Sequence, residues 1–145
     1  MICALRQAVR RCPHIVCEIR LRRWWACRWL RATRVIFWGG AIRYWPIVVG
    51  CHEALLLGPV AVHPTRQGEG LGGALIRDSL ALAASQGWQR VLLVGDGPYY
   101  QRFGFEKLND VVMPPPTNPD RVLGLSILPD AWLGVCGPVQ SVRDP

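Results

Sequence analysis

A mixed α/β fold is predicted by three features of this 145-residue chain. Leu55–Val62 and Arg90–Val94 are short apolar runs bounded by turn residues, the pattern of strands buried on both faces. Between them, residues 71–86 carry apolar side chains at helical spacing. Strand, helix, strand in that order is the signature of a βαβ unit, with two parallel strands and a helix covering one face.

Each element has local reasons. In the helix, Leu75, Ile76, Ser79, Leu80 and Ala83 share one face, while Arg77, Asp78, Ser85 and Gln86 lie largely away from it. Gly87 is placed to terminate it. Gly95-Asp96-Gly97-Pro98 ends the second strand, and Tyr99–Phe103 suits a short helix before Gly104-Phe105. Pro114–Pro116 with Asn118-Pro119 is too proline-dense for regular structure. Val122–Leu128 reads as a further strand, and the tail after Pro129 is ambiguous.

By composition the chain divides into residues 1–51 and 52–145. The first segment holds ten arginines, five tryptophans and five cysteines, with one acid, Glu18, and a net charge of +9; the second is at −2. Turn and capping residues are nearly absent from 1–51, so nothing marks where elements begin or stop. Three readings of it stay open. Arg20–Trp25 mixes cations with stacking aromatics, as in an arm for nucleic acid or a membrane surface. The segment could equally be a divergent set of core elements. It could also be translated out of frame, leaving the N-terminal elements of the fold missing or aberrant. Sixteen arginines against one lysine suggest GC-rich coding DNA, whose shifted frames yield Arg, Trp, Cys and Pro.

No apolar run approaches the roughly 18 residues of a membrane span. Met1–Cys12 carries three arginines and no apolar core of a secretory signal. The expectation is a cytoplasmic protein with free thiols. Cys12-Pro13-His14-Ile15-Val16-Cys17 has ligand types but no matching second half, so no metal is expected.

Glycines at 68, 70, 72 and 73 lie between the first strand and the helix. A glycine-rich turn opening a helix aims several main-chain N–H groups at one point, where the helix dipole adds positive potential; that combination binds phosphate. Gly68-Glu69-Gly70-Leu71-Gly72-Gly73 formally satisfies G-x-G-x-x-G, and Asp96 stands at a strand end 23 residues later. In the dinucleotide fold, however, the strand runs almost directly into the first glycine, whereas His63–Gln67 intervenes here.

Gln67-Gly68-Glu69-Gly70-Leu71-Gly72 also has the form Gln/Arg-x-x-Gly-x-Gly. With Leu92–Asp96 and Tyr99-Tyr100-Gln101-Arg102-Phe103-Gly104-Phe105, it resembles the GNAT superfamily of N-acetyltransferases over about residues 55–140. The resemblance implies a mixed, splayed central sheet with flanking helices and acetyl-CoA as co-substrate. It implies a bulge at Gly58-Pro59 and a wedge in which Val60, Ala61 and Val62 offer main-chain partners to the pantetheine arm. The amides of Gln67, Gly68, Glu69, Gly70, Leu71, Gly72 and Gly73 would cradle the diphosphate. Glu69 is then a spacer whose main chain matters. Tyr100, four residues before Gly104, takes the place of the tyrosine that protonates the departing thiolate, and Tyr99 that of a packing residue, though the two could exchange.

The implied reaction is direct attack of a small-molecule or peptide amine on the thioester in a ternary complex. His52, Glu53, His63 and Asp96 are candidate bases by type; none is assigned, and His63 reads better as a connector. The acceptor pocket would fall in 1–51, so its identity is unreadable. No nucleic-acid or membrane partner is expected. The alternatives are a non-catalytic acyl-CoA-binding remnant and a nucleic-acid-binding protein led by the basic segment.

Overall fold

The computed structural model of the chain describes residues 34–37 and 39–142. The Cys12–Cys17 cluster and the Arg20–Trp25 stretch lie outside the described residues, so the readings built on them do too. Of residues 1–51, the described part forms β1 (Arg34–Phe37) and β2 (Gly40–Val49), which pair as an antiparallel hairpin.

Next come β3 (His52–Val62), a 3-10 turn (Pro64–Arg66), α1 (Leu71–Ser85), β4 (Arg90–Val94) and α2 (Gly97–Gln101). The remainder is β5 (Glu106–Lys107), β6 (Val111–Val112), a second 3-10 turn (Pro119–Arg121), β7 (Val122–Ser126) and β8 (Gly137–Ser141). The sheet runs in the order β5-β7-β4-β3-β2-β8-β6, with β1 on β2. β3 and β4 are parallel neighbours joined through α1, which is the expected βαβ unit.

Several boundaries differ from expectation for identifiable reasons. β3 starts three residues before Leu55 because His52, Glu53 and Ala54 pair with Val49, Val48 and Ile47. α2 starts at Gly97 rather than Tyr99, because Gly97 and Pro98 occupy the first helical turn, where proline loses no hydrogen bond. β7 stops at Ser126; the amides of Ile127 and Leu128 turn aside to Gln89 O at 2.9 and 3.2 Å. The ambiguous tail supplies β8, which pairs with the end of β2.

Continuous apolar runs in β3 and β4 are explained by cover on both faces. Leu55, Leu57, Val91 and Leu93 point to the α1 side with Ile42, Tyr44, Leu75 and Ile76. Ala54 and Leu92 point to the other side with Ile47, Val49, Val122 and Val139. Within the first cluster the fully buried Tyr44 hydroxyl meets Ser79 Oγ at 2.8 Å, and Ser79 Oγ donates to Ile76 O at 2.9 Å. Burial pushes the Tyr44 phenol up to about 12, against a smaller opposing effect of the Ser79 bond. Tyr44→Phe keeps the ring and leaves Ser79 bonded to the helix, so equilibrium urea unfolding should show a loss of only about 1 kcal/mol.

Candidate functional site

β3 and β4 pair at just two positions, Leu55 with Val91 and Leu56 with Leu92. Beyond them β4 keeps its other partner, with Leu93 and Val94 opposite Leu123 and Val122 of β7. β3 stays with β2 as far as Val62 opposite Gly40. The two strands therefore part, and the β4-facing edge of residues 57–62 has no strand partner among the described residues. A bulge accompanies the parting. Ile42 pairs with Val60 but Tyr44 with Leu57, so β3 carries one extra residue at Gly58-Pro59. Trp45 Nε1 donates to Gly58 O at 3.0 Å and holds this kink.

The route from β3 into α1 is built locally. The Thr65 amide donates to His63 Nδ1 at 3.3 Å, and Pro64 opens the 3-10 turn, so His63 serves as the connector's cap. Gln67 Nε2 turns back to Val62 O at 3.5 Å. Gly68 and Gly70 then adopt φ of +87° and +78°, a region disfavoured for residues with a Cβ, and the space where a side chain would stand is open at both. Gly70 is the N-cap of α1 and supplies no side-chain cap; the first turn contains no acid. Among the described residues, the amides from Gly68 to Gly73 make no hydrogen bond to protein, and the first to be satisfied is Ala74 N, at 3.0 Å from Gly70 O.

All of residues 68–73 but Glu69 line a cavity of about 530 Å³ whose rim also includes Val62, Gln67 and Tyr99. Val60, Ala61 and Val62 form the strand edge leading to it. Of the strand-edge residues, Val62 lines the cavity together with Gln67, Gly68, Gly70, Leu71, Gly72 and Gly73, whereas Val60 and Ala61 do not. Glu69 does not reach into the cavity; its carboxylate pairs with Arg66 Nε at 2.8 Å.

The two tyrosines separate. Tyr99 is 38% exposed and lines the cavity, with the Arg102 guanidinium 4.0 Å above its ring. Tyr100 is partly buried against the α1-side core, edge-on to Phe105 at 5.9 Å. Its ring lies against Gly95, where any Cβ would collide with it. Burial, and secondarily Tyr99, raises the Tyr100 phenol above its usual 10.0, so it is a neutral hydrogen-bond donor at pH 7.

The candidate bases are dispersed. Asp96 caps α2 at the end of β4. His52 and Glu53 start β3, ten positions from the Val62 end, or about 30 Å in extended chain. They line a second, smaller cavity of about 170 Å³ with Trp88, Gln89 and Arg90. Burial and, after it, the Arg90 charge lower the His52 pKa from 6.5. A group that resists protonation only when folded contributes stability that is present above its unfolded pKa and lost as pH falls below it. Unfolding free energy measured from pH 7.5 to 5 should therefore decline below about pH 6.5, and His52→Gln should flatten part of that decline.

Arg66, Arg77 and Arg102 also line the main cavity, and sequence reasoning missed all three. A signal existed for two of them. Arg66 adjoins Gln67, and Arg77 stands four residues after Gly73, the spacing that folds a helical side chain back over the glycine.

Residues 23–107 match the family described as acetyltransferase (GNAT) domain. Over 51 residues the chain is 45% identical to YjhQ, an uncharacterized N-acetyltransferase of Escherichia coli (strain K12), covering 35% of this chain and 28% of that protein. Its fold is similar to that of the Escherichia coli GNAT family N-acetyltransferase YhbS in complex with CoA. That likeness has a TM-score of 0.67 and 27% identity over 72% of this chain and 60% of that one. It is also similar to a GNAT family acetyltransferase from Brucella melitensis in complex with acetyl-CoA, with a TM-score of 0.56 and 36% identity over 72% and 58%. The chain thus spans about a quarter of the curated relative and about three fifths of the two solved proteins.

Proposed function

Because this chain belongs to the GNAT acetyltransferase family, we propose that it transfers an acetyl group from acetyl-CoA to the amine of a small molecule or peptide. The observation that carries this reading is the parting of β3 from β4 after Leu56 and Leu92, next to a helix mouth whose amides are unpaired. An extended pantetheine arm fits such an opening as a partial extra strand, bonding to the free edge at Val60, Ala61 and Val62. The diphosphate accepts from the main chain between Gly68 and Gly73, where glycines let it come close; the Gln67 amide, expected in this cradle, is taken by Pro64 O at 3.4 Å.

Chemistry follows from holding donor and acceptor together. The amine nitrogen, once deprotonated, attacks the thioester carbonyl carbon; the tetrahedral adduct collapses and the carbon–sulfur bond breaks. The departing thiolate takes the phenolic proton of Tyr100, which is protonated at neutral pH, and the phenolate regains a proton from the adduct nitrogen through solvent, leaving the neutral amide and the free thiol. A base or a water chain must first take a proton from the amine, and no side chain is assigned that task.

The test has two parts. Calorimetry should show acetyl-CoA binding, and release of free thiol should rise above the hydrolytic background for at least one class in a panel of amines. Absence of acetyl-CoA binding would overturn the proposal. Binding with no turnover on any amine would favour a non-catalytic acyl-CoA-binding protein.

A further inference from the structure

The main-chain cradle accounts for one diphosphate, yet the cavity also carries three arginines and no acidic lining residue. Arg66 is engaged by Glu69 at 2.8 Å. Arg77 and Arg102 have no carboxylate partner among the described residues. They belong to different elements, α1 and the residue that caps α2, yet both guanidiniums gather around one ring. Their central carbons lie 5.9 and 4.8 Å from the centroid of Phe103. Arg102 is held further by Tyr99, at 4.0 Å. Arg77 folds back along α1, so that both its terminal nitrogens stand 3.7 Å from where a Cβ on Gly73 would be. Four residues of helix separate Arg77 from Gly73, about 6 Å along the axis, so its root lies beyond the diphosphate cradle.

Resting on the acetyl-CoA reading above, we infer that Arg77 and Arg102 form a second phosphate subsite that takes the ribose 3′-phosphate of the coenzyme, making the protein selective for CoA over its 3′-dephospho form. A phosphomonoester presents three oxygens, enough to engage two guanidiniums at once, and Arg is suited to such planar, charge-assisted contacts. Two cations pinned on one aromatic platform without a carboxylate repel each other unless an anion joins them. The platform itself, Tyr99 and Phe103, holds the two guanidiniums near one another, so little ordering remains to be done on binding.

The probes are CoA and 3′-dephospho-CoA, titrated calorimetrically into the intact chain and into R77Q/R102Q. Both arginines are exposed, and circular dichroism checks that the variant is folded. The wild-type chain should bind CoA at least roughly tenfold more tightly, the worth of one or two hydrogen bonds to charged groups. In R77Q/R102Q the CoA affinity should fall to that of the dephospho form, which itself should change by less than about twofold. Equal binding of the two ligands by the wild type would overturn the inference and leave the acetyl-CoA reading standing. Equal weakening of both in the variant would also overturn it, by assigning the guanidiniums to the diphosphate. If the wild type binds neither ligand, the acetyl-CoA reading itself fails and the subsite with it.

Discussion

Gly70→Val should lower acetyl-CoA affinity by about a hundredfold or more while the chain stays folded. Two effects add. At φ of +78° a β-branched residue is strained by about 1–2 kcal/mol, and relaxing that strain turns neighbouring amides away from their common focus. The new side chain also enters space that is empty in the protein and that a phosphate would have to occupy. Losing two charge-assisted amide bonds removes about 3 kcal/mol or more, which corresponds to the stated loss of affinity. Titration calorimetry reads the affinity, and thermal unfolding reads the strain separately. An affinity within about threefold of wild type would mean that the helix mouth does not hold the diphosphate.

Tyr100→Phe should reduce turnover by about 10²-fold or more with little change in acetyl-CoA affinity. The substitution keeps the ring that packs edge-on to Phe105 and against Gly95, so it removes the hydroxyl and little else. Steady-state rates with a competent amine, beside calorimetric affinity, separate the two. The pH profile adds a sign. Because burial raises the phenol above 10.0, the donating form persists through neutral pH, and any alkaline loss of turnover due to this group falls above that value. Tyr99→Phe is the necessary comparison, since Tyr99 lines the cavity. Loss of turnover in Tyr99→Phe, with Tyr100→Phe unaffected, would exchange the roles of the two residues.

Strand β3, helix α1 and strand β4 were readable because their patterns are local. Leu75, Ile76, Ser79 and Ala83 recur at helical spacing, and each is buried in the helix. Val91, Leu92 and Leu93 are apolar on both sides of the chain and are buried in a central strand covered on both faces. The glycine loop was readable for a similar reason, since its spacing alone implies a backbone that few other residues adopt. Gly58-Pro59 marked a bulge or an edge because proline cannot donate to a ladder, and the register makes it a bulge. β5 and β6 were not readable. Two residues each offer no period, and such strands exist only because a neighbour supplies their hydrogen bonds.

The amino-acid sequence by itself therefore determined the βαβ unit and the left-handed glycine turn at its helix mouth, because each depends on backbone preferences within a few residues. Tertiary structure alone decided the rest of the site. β3 and β4 part where they do because their outer partners, β2 and β7, hold them on diverging courses. Arg77 and Arg102, 25 positions apart in the chain, share Phe103 only because α1 and α2 rise from adjacent strand ends. Tyr99 and Tyr100 are neighbours of the same type, and only packing sends one toward the cavity and the other onto the core. Contacts of this kind arise from strand pairing and burial across distant segments, and no local pattern encodes them.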